Sequence, residues 1–304
     1  MRRLVWLLQF CLIVLVTLPI AVLPLRIAMK AGEFLGCLLF LIWGSRRRIA
    51  VENLSSAVSR GALAVGARPD QIIRQMFLNL GKSFVEVLKI YYGLGDRIVG
   101  NVRFSGVEHF QKAREKGKGI LFITGHCGNW ELNALAVGLS LSPVSVVARP
   151  IDNPYLNRLV ERARRRYGNT VIYKKGALRK ILGSLHQNGM VGILMDQSVV
   201  PAEGVAADFL GKKDFIMKTP ALIALKTGAA VIPAFIRRTD GGHVIEIGAE
   251  IEPDGSEDAE RSVRNSTIAF SRPVEDYIRR NPSEWLWIHR RWKRSEEADA
   301  DSRG

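Results

Sequence analysis

Gly119-Ile-Leu-Phe-Ile-Thr124 runs straight into Gly125-His-Cys-Gly-Asn-Trp-Glu131, and how this chain folds is decided there. The unbroken apolar run reads as a strand covered on both faces. The segment from Leu132 to Leu141, apolar at three- and four-residue steps, reads as a helix. A strand that turns directly into a helix is the unit of an α/β fold. His126 and Glu131 occupy that turn, at the carboxyl end of the strand, where α/β proteins place their ligands.

Outward from this unit the pattern repeats. Upstream lie a strong helical periodicity from Pro69-Asp70 to about Gly93, a short strand at Val102 to Phe104 and a charged helix at Val107 to Lys116. Downstream, strands are expected at Val144 to Val147, Thr170 to Tyr173, Val191 to Met195, Ala230 to Ile236 and His243 to Ile247. Helices are expected from Asn153-Pro154 to Tyr167, over Leu178 to His186, Ile216 to Thr227 and Ser262 to Arg280, with a loop from Gln197 to Gly211. Alternation at this spacing predicts one α/β domain, residues 46–294, and a disordered tail from Ser295 to Gly304.

The amino end has a different character. Leu4 to Leu25 contains no charged residue over 22 positions, enough to cross a bilayer core of about 30 Å. Arg2 and Arg3 precede it, but no small-x-small cleavage pattern follows, so a retained membrane anchor is expected rather than a cleaved signal, kinked or shortened by Pro19 and Pro24. The run from Phe34 to Trp43 is too short to span and suits an interfacial or re-entrant segment, which makes residues 1–45 the anchor region. Arg26, Lys30 and Arg46 to Arg48 outweigh Arg2 and Arg3, which predicts a body on the cytoplasmic side of the inner membrane.

Lys and Arg outnumber Asp and Glu by 44 to 29, a net charge of +15, so an anionic partner is expected. Cys11, Cys37 and Cys127 form neither a disulfide framework nor a zinc spacing, and no metal site is expected. No nucleic-acid-binding motif is present. The closing Trp285 to Arg294 segment interleaves tryptophans with cations, which suits a membrane interface, with core packing of Trp285 and Trp287 as the competing use.

Chemistry is sought first at the opening turn. A histidine takes up protons near neutral pH, and a carboxylate on one ring nitrogen sets its tautomer. There is no Gly-x-Ser-x-Gly elbow, and Cys127 reads as a buried thiol. A base without a protein nucleophile suits deprotonation of a bound hydroxyl that attacks an activated acyl donor. Spacing alone leaves open whether His126 and Glu131 form such a pair or are a satisfied histidine and a first-turn carboxylate. On the helix from Pro154, Arg164 falls on the flank of the apolar face, placed to reach a bound phosphate or to snorkel; Arg165 points to solvent.

His126-Cys-Gly-Asn-Trp-Glu131 resembles the His-x4-Asp/Glu block of the bacterial lipid A biosynthesis acyltransferases, relatives of the glycerol-3-phosphate acyltransferases. The resemblance continues through Arg46-Arg-Arg-Ile-Ala-Val-Glu-Asn-Leu54, Arg149-Pro150 to Asn153-Pro154, Met195-Asp-Gln-Ser198, Phe209-Leu-Gly211 and Trp285-Leu-Trp-Ile-His-Arg-Arg-Trp292. It implies a single mixed-sheet acyltransferase domain flanked by helices behind an N-terminal membrane anchor helix. It further implies fatty acyl transfer from acyl carrier protein or coenzyme A to a glycolipid hydroxyl, with no cofactor. His126 would be the base and Glu131 its orienting partner; Arg149, Asp196, Asn129 and Arg164 would be substrate-binding. Leu210 stands where a second Phe is common in the donor loop, which leaves chain-length preference open. Mycobacterial phosphatidylinositol mannoside acyltransferases share the motif, so the acceptor is not specified. The alternative of another class is a non-catalytic glycolipid-binding protein.

Overall fold

The computed structural model describes residues 2–173 and 176–301. Helix α1 (Arg2–Val22) keeps Pro19 inside its last turn and is followed by α2 (Leu25–Ile42), with Pro24 at its N-cap. Next come α3 (Gly44–Ser59), α4 (Pro69–Tyr91), the short α5 (Asp96–Gly100), β1 (Val102–Ser105), α6 (Val107–Glu115) and β2 (Ile120–Thr124). After the His126 turn follow α7 (Trp130–Ser140), β3 (Val144–Ala148), α8 (Pro154–Arg164), β4 (Thr170–Tyr173), α9 (Ala177–His186) and β5 (Met190–Leu194). The last third holds β6 (Gly204–Phe209), β7 (Lys212–Met217), α10 (Thr219–Thr227), β8 (Ala230–Thr239), β9 (Gly242–Ile247), α11 (Ala259–Arg280) and α12 (Ser295–Asp301).

Seven strands form one mixed sheet in the order β1-β9-β8-β2-β5-β3-β4, in which only β8 and β9 run antiparallel. The apolar run of β2 is continuous because both of its faces are covered. Leu121 and Ile123 join a core with residues of α9, α10 and α11; Ile120 and Phe122 join another with α6 and α7. The domain is thus α/β with a mixed sheet between helical layers.

Among the described residues, α1 is the one helix long and apolar enough to cross a membrane, and most of its surface is exposed. Among its ties to the body, Asn153 donates to the Trp6 carbonyl at 2.8 Å, Thr17 Oγ1 lies 2.7 Å from the Tyr92 hydroxyl, the Phe10 ring meets that of Tyr155, and Lys89 of α4 donates to the carbonyls of Ala21 and Leu23 at 2.7 and 2.6 Å. The Phe34 to Trp43 run, expected as an interfacial or re-entrant segment, forms the second half of α2 with Trp43 at the C-cap, and α2 packs along α4. Lys30 and Glu33 interrupt its apolar pattern in the sequence, but Glu33 pairs with Lys82 of α4 at 2.6 Å. Gly32, Gly36 and Gly81 let the two backbones touch: a Cβ on Gly81 would lie 2.1 Å from the Gly32 carbonyl oxygen.

Two further expectations change. The loop and helix start expected between Gln197 and Met217 contain the antiparallel β6–β7 hairpin, turned at Leu210 and Gly211 with φ of 52° and 77°. Positive φ at both positions is what a two-residue hairpin turn needs, and a leucine there gives no turn signal in the sequence. Leu210 and Phe209 are fully buried, so this block is packed core rather than an open loop. The tail is not disordered over Ser295–Asp301: it forms α12, with Ala298 buried against Ala206 and Phe215 of the hairpin. Its Ala and Glu residues are good helix formers, but the patch they cover is invisible in the sequence. Residues 302–304 of that expected tail lie outside the described residues.

Candidate active site

β2 and β5 are parallel neighbours in a register that sets Thr124 beside Leu194. Two residues beyond each strand end come His126 and Asp196. Equal overhang on paired strands brings them together: His126 Nδ1 lies 2.9 Å from Asp196 Oδ1, and the His126 backbone N–H donates to Asp196 Oδ2 at 3.0 Å. The Trp285 indole N–H donates to the same Oδ2 at 2.8 Å.

The turn that presents His126 is tightly constrained. Gly128 has φ of 55°, and a Cβ there would lie 2.2 Å from the Ile236 carbonyl oxygen, so only glycine fits. Its N–H donates to the Glu284 carbonyl at 2.8 Å, while Leu286 N–H donates to the His126 carbonyl at 3.2 Å. The Trp285 to Trp292 segment therefore lines the underside of the turn. Trp285, Trp287, Arg291 and Trp292 are buried, which corrects the expected membrane-interface placement of this stretch. Its tryptophans spend their N–H groups on Asp196 and on backbone carbonyls, which allows indoles inside a core.

Electrostatics follow from burial. Asp196 is only 2% exposed; burial alone would push its pKa up, but the His126 ring and backbone and the Trp285 N–H outweigh it and hold it at about 2. Burial would lower the His126 pKa, yet the charge and hydrogen bond of Asp196 raise it above the ordinary value. Because the carboxylate accepts at Nδ1, the neutral ring carries its lone pair on Nε2. Burial pushes the Cys127 thiol far above its usual range, which leaves it unreactive.

Glu131 does not hold the histidine. It sits in the first turn of α7 and accepts a two-pronged hydrogen bond from Arg164, at 2.9 Å from Nε and 2.5 Å from Nη2. Arg164, on the flank of α8 and left open between a phosphate and snorkelling, meets this carboxylate; Arg165 lies outside, paired with Glu161. Asn129 is not open to substrate either. It is 3% exposed, caps α7 by accepting from the Leu132 N–H at 3.2 Å, and donates to the buried Glu86 at 2.9 Å. Arg149 is exposed, with Asp152 3.8 Å away.

His126, Glu131, Arg164 and Arg149 all line one cleft of about 870 Å³, with apolar walls that include Val146, Leu178 and Ile193. That is a volume suited to an organic ligand with a long apolar part. Gln197, next to Asp196, lines it as well, and its amide approaches both His126 and His289. Among the described residues no group of three or more metal-ligating side chains occurs.

A family model for the bacterial lipid A biosynthesis acyltransferases matches residues 2–294. The chain belongs to that family. It is 25% identical over 275 residues to the Escherichia coli lipid A biosynthesis palmitoleoyltransferase, covering 89% of this chain and 86% of that protein. The Haemophilus influenzae lipid A biosynthesis acyltransferase is 23% identical over 218 residues, 69% and 67% of the two chains. A Mycolicibacterium smegmatis phosphatidylinositol mannoside acyltransferase is 22% identical over 260 residues, 83% and 84%. This lipid A biosynthesis acyltransferase family member is thus an O-acyltransferase, and its His-x4-Glu block lies on the cleft just described.

Proposed function

We propose that this acyltransferase moves a fatty acyl group from an acyl thioester, borne by acyl carrier protein or coenzyme A, to a hydroxyl of a lipid A precursor, with His126 as general base. The observation that carries the proposal is the His126–Asp196 contact at 2.9 Å, which leaves Nε2 as the proton acceptor on the cleft. Asp196, rather than Glu131, orients the ring and stabilises the imidazolium. Nε2 takes the acceptor hydroxyl's proton as that oxygen bonds to the thioester carbonyl carbon, whose π electrons move onto its oxygen. Collapse re-forms the carbonyl, breaks the carbon–sulfur bond and returns the proton from the imidazolium to the departing thiolate.

The thioester is already activated, so the step needs no further cofactor. The apolar walls of the cleft suit an acyl chain, and Arg149 on the same cleft suits an anionic headgroup. Helix α1 would anchor the enzyme in the inner membrane, with the basic run Arg46 to Arg48 on the cytoplasmic side. The net charge of +15 favours approach to an anionic bilayer and to an acidic carrier protein.

The test uses the full-length protein in lipid–detergent micelles with a labelled acyl thioester and a lipid A precursor, and the product is weighed by mass spectrometry. Transfer is expected from the wild type and none from His126→Ala, with the variant still folded and membrane-bound. Turnover by His126→Ala near the wild-type rate would remove His126 as base. Transfer only to phosphatidylinositol mannoside would reassign the acceptor, and parallel runs with carrier-protein and coenzyme A thioesters identify the donor.

A further inference from the structure

His126 has a second polar neighbour, which the acid–base chemistry above does not use. Gln197 leaves the end of β5 directly after Asp196, and its side-chain amide nitrogen lies 3.3 Å from each ring nitrogen of His126. The same nitrogen lies 2.7 Å from Nε2 of His289, whose ring centre is 5.8 Å from that of His126. We propose that the Gln197 amide is the donor that stabilises the oxyanion of the acyl transfer, and that His289 is the positioning residue that aims it. The proposal rests on the reading of His126 as the base.

A primary amide nitrogen carries two N–H groups. The short contact commits one of them to His289 Nε2; the other lies against the His126 ring, 3.3 Å from Nε2, and turns to the new oxyanion once Nε2 has taken up the hydroxyl's proton. An amide oxygen in that place would oppose the lone pair on His126 Nε2. The attacking hydroxyl must sit about 2.6–3.2 Å from that lone pair, and an oxyanion donor about 2.7–3.1 Å from the new charge. A donor nitrogen 3.3 Å from the base is within reach of a carbonyl oxygen on that attack path.

His289 serves this purpose only while its Nε2 is an acceptor, which means while the ring is neutral. Burial pushes its pKa below the ordinary value, and the positive charge of His126, Arg46 and Lys293 adds to this against the opposing pull of Asp196. The ring is also fixed through its backbone, since Asn53 of α3 donates to the His289 carbonyl at 2.7 Å and to the Trp287 carbonyl at 2.9 Å. Amide donor, acceptor ring and backbone clamp thus hold the donor beside the base before charge develops, so little reorganisation is needed.

The experiment measures steady-state kcat and KM for full-length variants in the micelle assay with an acyl thioester and a lipid A precursor. Gln197→Ala is expected to lower kcat by about 100- to 1,000-fold with KM for both substrates nearly unchanged. Gln197→Glu keeps the shape and replaces the donor by a carboxylate, so it is expected to lose at least as much while melting like the wild type. His289→Ala should also lower kcat, and His289→Gln, which returns an acceptor at the same reach, should recover most of the loss. Wild-type kcat in Gln197→Glu, a loss confined to KM, or equal kcat in His289→Ala and His289→Gln would overturn the proposal. His126→Ala runs alongside: if it is active the base assignment falls, whereas if it is dead and Gln197→Glu is active only the oxyanion assignment falls.

Discussion

Replacing Asp196 with asparagine keeps the shape of the side chain and reverses the proton on the histidine. In the wild type, Oδ2 accepts from two donors, the His126 backbone N–H at 3.0 Å and the Trp285 indole N–H at 2.8 Å, while Oδ1 faces His126 Nδ1 at 2.9 Å. The single oxygen of the new amide is held where the two donors converge. Its NH2 group therefore faces Nδ1 and donates to it, which drives the ring proton to Nε2. The imidazole then presents an N–H to the acceptor hydroxyl and is no longer a base. Such a tautomer reversal lowers kcat by about 10³- to 10⁴-fold, or about 4–5.5 kcal/mol of barrier. The pH profile gives a second readout. Only the neutral ring is a base, so wild-type kcat/KM falls as pH drops through a His126 pKa raised above the ordinary 6.5. Removing the carboxylate charge leaves burial opposed only by the more distant charge of Glu131, and the acid limb of any residual activity moves to lower pH. Turnover of Asp196→Asn within about tenfold of wild type, or an acid limb that stays in place, would refute this account of the dyad.

Three more predictions follow from the same contacts. Glu131→Gln weakens the two-pronged bond to Arg164 and is expected to destabilise the fold by about 1–2 kcal/mol in denaturant titrations; because Glu131 does not touch the His126 ring, the acid limb should move far less than in Asp196→Asn. Gly81→Ala drives a methyl to 2.1 Å from the Gly32 carbonyl oxygen and 2.7 Å from the Gly36 nitrogen, so α2 must lift from α4, with an expected loss of about 1–3 kcal/mol or more by thermal unfolding. The wild type should also lose stability as pH falls from 3.8 toward about 2, because Asp196 titrates at about 2 in the fold and near 3.8 when unfolded. Melting temperatures of Asp196→Asn should be flatter over that window, since the contribution is present above the unfolded value and absent below the folded one.

The strand and helix pattern was readable because each element carries its own signal. β2 and β4 stand where an apolar run between breakers and a β-rich tetrapeptide placed them, and the Asn153-Pro154 cap marks the start of α8. Elements whose signal lies in a partner were not readable. The β6–β7 hairpin turns on a leucine held at positive φ by its surroundings, with its N–H on Glu275 at 3.0 Å. α2 hides its length behind Lys30 and Glu33; Lys30 is exposed, and only Lys82 of α4 explains Glu33.

The site divides in the same way. From residue order alone came the histidine, its turn at a strand end, the long apolar helix at the amino end and the order of family blocks, because these are local features or linear ones. Which carboxylate meets His126 was a different kind of question. Glu131 is near in sequence, but the helix turns it toward Arg164; Asp196 is 70 residues away and arrives because β5, rather than β3, pairs with β2 on the side away from β8. Strand order is a product of packing, and no property of either segment encodes it. The same holds for Trp285 and His289, brought under the turn by the chain's return after α11. The sequence by itself determined that a histidine would stand at the end of that strand, on a strand-to-helix unit; the tertiary structure alone decided which side chains surround it, since the hydrogen bonds at His126 join segments that meet only once the sheet has closed.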